Sequence, residues 1–365
     1  MRLTWTTTTL HLAEPLRISR SVTARRGAVH VRLAHDGLDG WGEAVSSRYL
    51  GLPTREILRH LAAVRPAVER LPDPETAWAE LAPAGPVGAA LPAGVLAAVE
   101  SAVLDLTARR ADAPAHRLLG SPRPPSARTA RTLGIVPPAR AAAEAARLAA
   151  AGFTVLKIKA GAPDPADDLD RVAAVREAAP AAELLLDPNG AWTEARALAL
   201  LPRFAALGVA SVEQPVPPGR PEILARVAAA SPVPVVADED AVTHADALAL
   251  AGRVHGINVK LAKCGGVRAA LRILAALRGS GTDLMLGCLT ASSLGIAPAV
   301  HLADRARWVD LDGHLLLADD PWTGIGGTDG TVRTTTRPGL GVHPRTARTA
   351  RTARMSRTAS GRSTP

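Results

Sequence analysis

Short apolar runs alternate with longer alanine-rich segments from about residue 130 onward. The runs have the length of buried parallel strands, and the segments between them have the length of helices. The predicted strands are Thr132–Val136, Val155–Ala160, Leu184–Asp187, Ser211–Gln214, Val235–Asp238, Gly256–Lys260, Leu284–Cys288 and Val309–Asp312. Eight such units predict an α/β fold, a modified TIM barrel or (β/α) barrel, with functional residues at the carboxyl ends of the strands. A Pro/Gly-rich stretch follows Gly313, so the last unit is predicted to lack a full helix.

The N-terminal third follows a different pattern. Alternating positions predict strands at Arg2–Thr9 and Ala28–Ala34, joined by the arginine-rich stretch Arg17–Arg26. Helical periodicity follows at 54–70 and 91–110. We expect an α+β capping domain that covers the mouth of the barrel.

These patterns divide the chain into four parts. The predicted parts are a capping domain at 1–125, a barrel that carries the metal site and the lysines at 126–320, a segment that returns to the cap at 321–342, and a disordered arginine-rich tail at 343–365. The tail contains almost nothing apolar to bury, which is why disorder is expected there.

The charge of the chain is concentrated at its C-terminus. The formal net charge is +9, but eight of the 43 basic residues lie in 331–365, a stretch with no acid. Residues 1–330 therefore carry 35 basic and 34 acidic side chains and are nearly neutral. We expect no nucleic-acid partner, with docking of the tail to an anionic polymer as the alternative.

Composition sets the remaining expectations about the protein's surroundings. A hydrophobic content of 47% with no apolar run long enough to span a bilayer indicates a protein that is not inserted in a membrane. No secretory signal pattern is present at the N-terminus, so we expect a cytoplasmic location. The two cysteines, Cys264 and Cys288, are expected to be free thiols. A homo-oligomer is expected because symmetric assemblies are common.

Lysine is rare and is confined to two short apolar segments. Only four of the 43 basic residues are lysines, at positions 157, 159, 260 and 263. A partly buried lysine can lose its proton near neutral pH, whereas arginine does not. Lys157 and Lys159 are two residues apart on one predicted strand and face the same side. We expect proton chemistry at the lysines, except at Lys263, which is out of phase with Lys260 and is interpreted as structural.

Three carboxylates end three successive predicted strands. Asp187, Glu213 and Asp238 are separated by 26 and 25 residues, about one strand–helix unit each. Equal spacing on a parallel barrel brings their oxygens to one ring, where Mg²⁺ would find the ligands it prefers. Lys159 and Lys260 then lie on opposite sides of the metal. A substrate carboxylate bound there would have an acidified α-proton, which one lysine removes while the other returns a proton to the opposite face.

This set of residues resembles the enolase superfamily, in particular its muconate-lactonizing-enzyme subgroup. Lys157-Ile-Lys159 looks like the Lys-x-Lys motif of that subgroup, and Asn258-Val-Lys260 looks like its second base. The resemblance implies that Lys159 and Lys260 are the catalytic bases. It also implies that the metal ligands are Asp187, Glu213 and Asp238.

Within the subgroup the chain is most similar to dipeptide epimerases of the L-Ala-D/L-Glu type. Asp310-Leu-Asp312 stands where those enzymes hold the substrate's α-ammonium. The other residues that the resemblance places at the substrate are Thr132, Lys157, Cys288 and, from the cap, Arg20 or a neighbouring arginine. It implies an isomerase that inverts an α-carbon of a small-molecule dipeptide through an enediolate.

Two positions depart from this pattern, and alternatives remain open. Asp240 stands where relatives commonly have serine, and Ala291 where many have glutamate. One alternative is a muconate cycloisomerase, or an o-succinylbenzoate synthase/N-acylamino acid racemase-like enzyme, which needs no ammonium anchor. The non-enzymatic alternative is a metal-binding barrel docked by its basic tail. The side chains of the dipeptide are left open, because they would be read by cap loops.

Overall fold

A computed structural model describes residues 1–82 and 85–345 of the chain. Its N-terminal part is an antiparallel sheet packed on helices. The strands are β1 (Arg2–Ile18), β2 (Ser21–His35) and β3 (Leu38–Val45), in the order β1-β2-β3. The helices are α1 (Thr54–Glu69), α2 (Pro74–Glu80), α3 (Ala93–Arg110) and α4 (Ala115–Leu118).

The cap corrects two sequence-based expectations. The arginine-rich stretch Arg17–Arg26 is not a connector, because β1 runs to Ile18 and β2 begins at Ser21. Strand β3 was not predicted. Two of its glycines allow close packing on α3: a Cβ at Gly40 or Gly42 would lie 2.1 or 2.0 Å from a backbone oxygen of that helix. Glycine normally argues against a strand, and here the packing partner overrides that preference.

Eight parallel strands form the barrel that the sequence predicted. After the short strand β4 (Ser126–Arg128), the barrel strands in chain order are β5 (Arg131–Leu133), β6 (Val155–Lys159), β7 (Glu183–Asp187), β8 (Val209–Glu213), β9 (Val235–Ala237), β10 (Gly256–Lys260), β11 (Asp283–Gly287) and β12 (Trp308–Asp310). The first and last strands meet where the Ala130 N–H donates to the Val309 carbonyl at 2.8 Å. The sheet is thereby nearly closed.

Helices follow the strands and cover the outside of the barrel. They are α5 (Pro138–Ala150), α6 (Pro165–Ala178), α7 (Glu194–Ala206), α8 (Pro221–Ala230), α9 (His244–Leu250), α10 (Leu261–Cys264), α11 (Val267–Leu277) and α12 (Ser293–Val300). Side-chain caps at Asp164, Thr193 and Thr243 start α6, α7 and α9. No helix follows β12 directly, as the sequence predicted. None of the described helices is long and apolar enough to cross a membrane.

The barrel interior is layered by strand alternation. Its apolar layer contains Val155, Leu185, Val236, Met285 and Trp308. Residues two or four positions further along the same strands point inward as well. That phase carries the predicted lysines and carboxylates to the mouth of the barrel.

The chain after β12 contacts the cap. Its strands are β13 (Trp322–Thr323), β14 (Thr331–Arg333) and β15 (His343–Pro344), and β13 pairs with β15. Trp322 packs edge-on against His30 and Trp41 of the cap. Of the predicted tail 343–365, residues 346–365 lie outside the described residues.

Candidate active site

One side of the barrel mouth is built by β6 and β7. Lys157 and Lys159 both point inward, in phase with Val155 of the apolar layer. The Lys159 ammonium donates to Asp187 Oδ2 at 2.5 Å, and Asn189 donates its backbone N–H to Asp187 Oδ1 at 2.9 Å. Burial disfavours the charge of Asp187, but Lys159 and Lys157 outweigh it and hold the pKa of this carboxyl well below its usual range. Asp187 is therefore an ionised, fixed oxygen donor.

The opposite side is built by β9 and β10. The Lys260 ammonium donates to Asp238 Oδ2 at 2.7 Å and lies 3.7 Å from Glu213 Oε1. Burial opposes the charge of Lys260, but Asp238 and Glu213 prevail and raise its pKa. In this arrangement Lys260 is the protonated, proton-donating form.

Lys263 belongs to the same side but has a different task. Its ammonium donates to Asp238 Oδ1 at 2.8 Å, to the Asp238 carbonyl at 2.5 Å and to the Asn258 carbonyl at 2.7 Å. An ammonium has three donors, and all three are used here. The group fixes the Asp238 carboxylate and supports the structural interpretation of Lys263.

Glu213 lies between the two sides. Its Oε2 accepts from Lys157 at 2.5 Å, and its Oε1 accepts from the Asn258 amide at 2.8 Å. Burial, followed by the negative charge of Asp187, raises the pKa of Glu213 to about 7. Of the three carboxyl groups, Glu213 is therefore the one whose charged form is least favoured, and a bound cation would favour that form.

The donor set fits a hard divalent cation. Asp187, Glu213 and Asp238 are buried and offer only carboxylate oxygens. Among the described residues no group of three His, Cys, Asp or Glu side chains has a metal-binding arrangement. Each of the three carboxylates instead accepts a hydrogen bond from at least one lysine ammonium group, which supplies positive charge at these oxygens.

The predicted ammonium-binding aspartates differ in their contacts. Asp310 Oδ2 accepts from Lys157 at 2.7 Å, while Asp310 Oδ1 is buried and has no hydrogen-bond partner among the described residues. Asp312 Oδ2 instead accepts from the Thr132 backbone N–H at 2.7 Å and from Arg131 at 3.3 Å. Asp310 therefore has an oxygen available for a cation, and Asp312 holds β5 against the loop after β12.

Arg20 reaches from the cap hairpin to the barrel loops. Its guanidinium donates to the Asn189 carbonyl at 2.9 Å and to Glu239 Oε1 at 2.6 Å, with its Cζ 5.5 Å from the centre of the Tyr49 ring. Glu239 was not singled out in the sequence, and it neutralises Arg20 in this structure. The predicted contact of Arg20 with a substrate carboxylate stays a prediction.

Cys288 lies on the wall of a small cavity beside Lys260. The same cavity is lined by Glu43, Val45 and Ala291. Burial, followed by the charge of Asp310, raises the pKa of the Cys288 thiol. Cys288 is therefore an uncharged thiol that shapes the cavity. Both cysteines are free, as expected.

Sequence reasoning missed several residues that hold this site together. Gln214 has a positive φ of 35°, and its amide oxygen accepts from the backbone N–H groups of Asp238 at 3.0 Å and Asp240 at 3.2 Å. Asp240 in turn accepts from the Gln214 amide at 2.8 Å. The one feature of the sequence that could have pointed to Gln214 is its position directly after the predicted metal ligand Glu213. The departure at Asp240 thus makes a contact that orients the Asp238 loop.

Comparison with known families accounts for nearly all of the described chain. Residues 2–120 match the N-terminal domain of the mandelate racemase/muconate lactonizing enzyme family, and residues 140–348 match the enolase C-terminal domain-like family. The chain belongs to the mandelate racemase/muconate lactonizing enzyme family. The predicted fold and the resemblance to the enolase superfamily are therefore confirmed.

Individual members of the family resemble the chain over almost its full length. It is 33% identical over 344 residues to a hydrophobic dipeptide epimerase of Roseobacter litoralis, covering 93% of this chain and 98% of that protein. The solved L-Ala-D/L-Glu epimerase of Bacillus subtilis superimposes with a TM-score of 0.87 at 29% identity, covering 94% and 98% of the two chains. The Methylococcus capsulatus dipeptide epimerase, solved with Mg and L-Arg-D-Lys, superimposes with a TM-score of 0.83 at 34% identity, covering 93% and 98%.

Proposed function

We propose that this chain is a Mg²⁺-dependent dipeptide epimerase, an isomerase that inverts one α-carbon of its substrate. The observation that carries the proposal is the pair of buried lysines, Lys159 on β6 and Lys260 on β10, on opposite sides of three carboxylates. Relatives that act on dipeptides have the same domain arrangement at about 30% identity.

Each lysine serves one face of the substrate's α-carbon. A neutral lysine removes the α-proton, and the electron pair of the broken C–H bond moves into the adjacent carboxylate group. The protonated lysine on the other face then delivers a proton to the same carbon, which restores the C–H bond with inverted configuration. Lys159 and Lys260 exchange these roles in the reverse direction.

Asp187, Glu213 and Asp238 are the residues that would hold the cation. When bound, a divalent cation withdraws charge from the substrate carboxylate and so acidifies the adjacent C–H group. Lys157 donates to Glu213 and Asp310 and is 3.1 Å from Asp187, so it fixes these carboxylates and keeps a positive charge near the developing anion.

The free amino end of a dipeptide is assigned to Asp310. Its buried Oδ1 atom has no partner among the described residues, and a substrate ammonium would supply one. A cycloisomerase or synthase substrate carries no such cation. Asp310 therefore favours a dipeptide over these alternatives.

Proton NMR in D₂O tests the proposal. The purified protein with Mg²⁺ is incubated with L-Ala-L-Glu and with small hydrophobic and cationic dipeptides. We expect the α-proton signal of one residue to disappear while the other diastereomer appears, and chelation of Mg²⁺ with EDTA to stop both changes. In Lys159→Ala and Lys260→Ala, epimerisation is expected to fall by at least about 10²-fold, because each variant lacks one of the two proton-transfer groups.

The two lysine variants also test the assignment of faces. Each is expected to retain α-proton exchange of the one diastereomer whose proton faces its remaining lysine. If no dipeptide exchanges while Mg²⁺ still raises the melting temperature of the protein, the epimerase assignment is wrong. Cycloisomerase and synthase substrates would then be tested in the same assay.

A further inference from the structure

Gln214 contacts the ends of all three strands that carry the carboxylates. Its backbone N–H donates to the Val236 carbonyl on β9 at 2.8 Å. Its own carbonyl accepts from the Gly190 N–H at 2.7 Å, in the loop that follows β7 and Asp187. Glu213, the last residue of β8, directly precedes it in the chain. Gln214 is therefore a junction between the ends of β7, β8 and β9.

The buried side chain of Gln214 uses all of its hydrogen-bonding capacity. Its amide oxygen accepts from the backbone N–H groups of Asp238 at 3.0 Å and Asp240 at 3.2 Å. Its amide nitrogen donates to the Val216 carbonyl at 3.0 Å and to Asp240 Oδ2 at 2.8 Å. A primary amide offers two acceptor sites and two N–H donors, so every polar group of this side chain is committed to the protein.

Asp240 extends this network to the loop after β8. Its Oδ1 accepts from the Gly219 N–H at 2.6 Å, while its Oδ2 accepts from Gln214. Its backbone N–H donates to Gln214, so two hydrogen bonds join the pair. Gln214 and Asp240 therefore tie the loop after β8 to the loop after β9, which bears Asp238.

The backbone of Gln214 is held in an unfavourable conformation. Its φ of 35° lies in the left-handed region, which a residue with a side chain seldom occupies. Such a conformation persists only where the surrounding contacts determine it, and it is found preferentially at functional sites. Because Gln214 directly follows Glu213, the contacts that hold Gln214 also fix the end of the strand that carries this carboxylate.

The carboxyl groups themselves are held by separate contacts. Lys260 and Lys263 donate to Asp238 at 2.7 and 2.8 Å, and the Asn258 amide donates to Glu213 at 2.8 Å. Both the backbone and the carboxyl group of these ligands are thus restrained. The oxygens have little freedom to move apart.

A rigid set of oxygen donors distinguishes cations by their size. Mg²⁺ requires nearly ideal octahedral geometry with oxygens at about 2.0–2.1 Å, whereas Ca²⁺ takes about six to eight oxygens at about 2.3–2.6 Å in more flexible arrangements. The choice between these two cations therefore depends on the size of the site and on how far its ligands can move.

We propose that Gln214 and Asp240 give this site a preference for Mg²⁺ over Ca²⁺, because they hold the ends of β7, β8 and β9 at a fixed separation. This inference rests on the proposed Mg²⁺-dependent function. It makes the two residues positioning residues, which act through the carboxylates of Asp187, Glu213 and Asp238.

Competition with bound Mn²⁺ tests the proposal without a measurement of activity. Mn²⁺ prefers the same oxygen donors, and its release by Mg²⁺ or Ca²⁺ is followed by electron paramagnetic resonance. We expect the unaltered protein to bind Mg²⁺ more tightly than Ca²⁺. In Asp240→Asn, the ratio of the Ca²⁺ dissociation constant to the Mg²⁺ dissociation constant is expected to fall by at least about 10-fold, because a residue that orients metal ligands is altered.

Asp240→Asn keeps the shape of the side chain but breaks the network. Both carboxylate oxygens of Asp240 accept from N–H donors, one on Gln214 and one on Gly219, so one of these donors would face the new amide NH₂ group. The substitution also removes a negative charge. Because Mg²⁺ and Ca²⁺ have the same charge, this effect cancels in the ratio.

Two further variants complete the set. Gln214→Glu keeps an oxygen that accepts from Asp238 and Asp240 but removes both N–H donors, so the ratio is expected to fall at least as far. Glu222→Gln is the control, since it removes a negative charge from an exposed ion pair with Arg220 at the start of α8, and the ratio should not change. Each ratio is taken within one variant, so the fraction of folded protein cancels.

The outcomes separate this inference from the proposed function. Equal binding of Ca²⁺ and Mg²⁺ by the unaltered protein, or a ratio that does not fall in Asp240→Asn and Gln214→Glu, would overturn the role of the two residues and leave the epimerase assignment intact. If the unaltered protein binds none of the three cations, the proposed Mg²⁺ dependence fails first, and the inference fails with it.

Discussion

At the scale of single residues, the lysines are distinguished by how many of their donors are already used. Lys263 has three acceptors within 2.8 Å, so its ammonium is fully committed to the protein. Lys159 has Asp187 as its hydrogen-bond partner, and Lys260 has Asp238. Lys159 and Lys260 therefore keep N–H donors that a substrate can use. Sequence phase alone could not show this difference, because it depends on which carbonyl groups lie nearby.

The contacts of Asp310 and Asp312 lead to a testable difference between two neighbouring aspartates. We expect Asp310→Asn to lower kcat/KM for a dipeptide by roughly 10- to 150-fold, the value of a charged hydrogen bond of about 1.5–3 kcal/mol. Kinetics on a dipeptide and on its N-formyl derivative provide the measurement, since only the former has an ammonium group. For the N-formyl derivative, the Asp310→Asn substitution should change kcat/KM little, because this substrate has no ammonium group to lose its partner.

Asp312→Asn is the matched comparison. Asp312 accepts from Thr132 and Arg131, so the variant is expected to lower the melting temperature. The ratio of kcat/KM for the dipeptide to kcat/KM for its N-formyl derivative should stay close to that of the unaltered protein. A selective loss of dipeptide activity in Asp312→Asn, with Asp310→Asn unaffected, would contradict this assignment.

At the scale of elements, helix α3 of the cap is joined to helix α11 of the barrel by a buried carboxylate. Glu100 on α3 accepts from the backbone N–H groups of Val267 at 2.5 Å and Arg268 at 3.3 Å, at the start of α11. Gly266, with a φ of 110°, leaves the space that this carboxylate needs, since a Cβ there would lie 1.9 Å from Glu100 Oε2. The contact therefore depends on a glycine in one domain and an acid in the other.

This contact predicts a pH dependence of stability. Burial raises the pKa of Glu100 from 4.5 to about 8, so the folded protein binds this proton more tightly than the unfolded chain does. The resulting stabilisation is fully present below about pH 4.5 and is lost as the pH rises to about 8. Glu100→Gln removes this titration. We expect the free energy of unfolding of the unaltered protein, relative to Glu100→Gln, to fall by a few kcal/mol between pH 5 and pH 8.

Urea unfolding at several pH values measures the difference. Glu177→Gln, an exposed position on α6, is the control and should parallel the unaltered protein across the range. Parallel stability curves for Glu100→Gln and the unaltered protein would show that Glu100 is ionised in the folded state at all of these pH values.

At the scale of the whole molecule, the excess of positive charge and the active-site residues lie in different parts of the chain. Every residue assigned to the site lies between Arg20 and Asp312, whereas the excess of arginine lies in 331–365. The nearly neutral remainder of the chain contains the complete set of lysines and carboxylates. We therefore expect catalysis to be independent of the arginine-rich segment.

Deletion of residues 346–365 tests this independence and the alternative in which the tail docks a non-catalytic barrel. The shortened protein loses five arginines. Its kcat/KM for dipeptides is expected to be within about twofold of the full chain at physiological ionic strength, because none of the side chains assigned to the site is removed and salt screens exposed charges. A large loss of activity on deletion would show that the tail contributes to the site.

Much of the barrel was readable from sequence, because strand burial and strand phase are local properties. The predicted strand Gly256–Lys260 matches β10, and the inward-facing lysines follow from two-residue alternation. The cap was read less well: strand β3 depends on glycines that admit helix α3, a contact between segments about 60 residues apart. The local pattern of apolar and polar residues does not indicate a contact between segments that are distant along the chain.

The sequence by itself determined the eight barrel strands, the residue types at their ends and the placement of all four lysines. Tertiary structure alone decided which of these residues already have partners: Asp310 keeps an oxygen without a partner among the described residues, Asp312 accepts from Thr132, and Arg20 is paired with Glu239. The physical reason is that hydrogen-bond partners and desolvation depend on atoms that are distant along the chain. Only the folded protein brings those atoms within reach of one another.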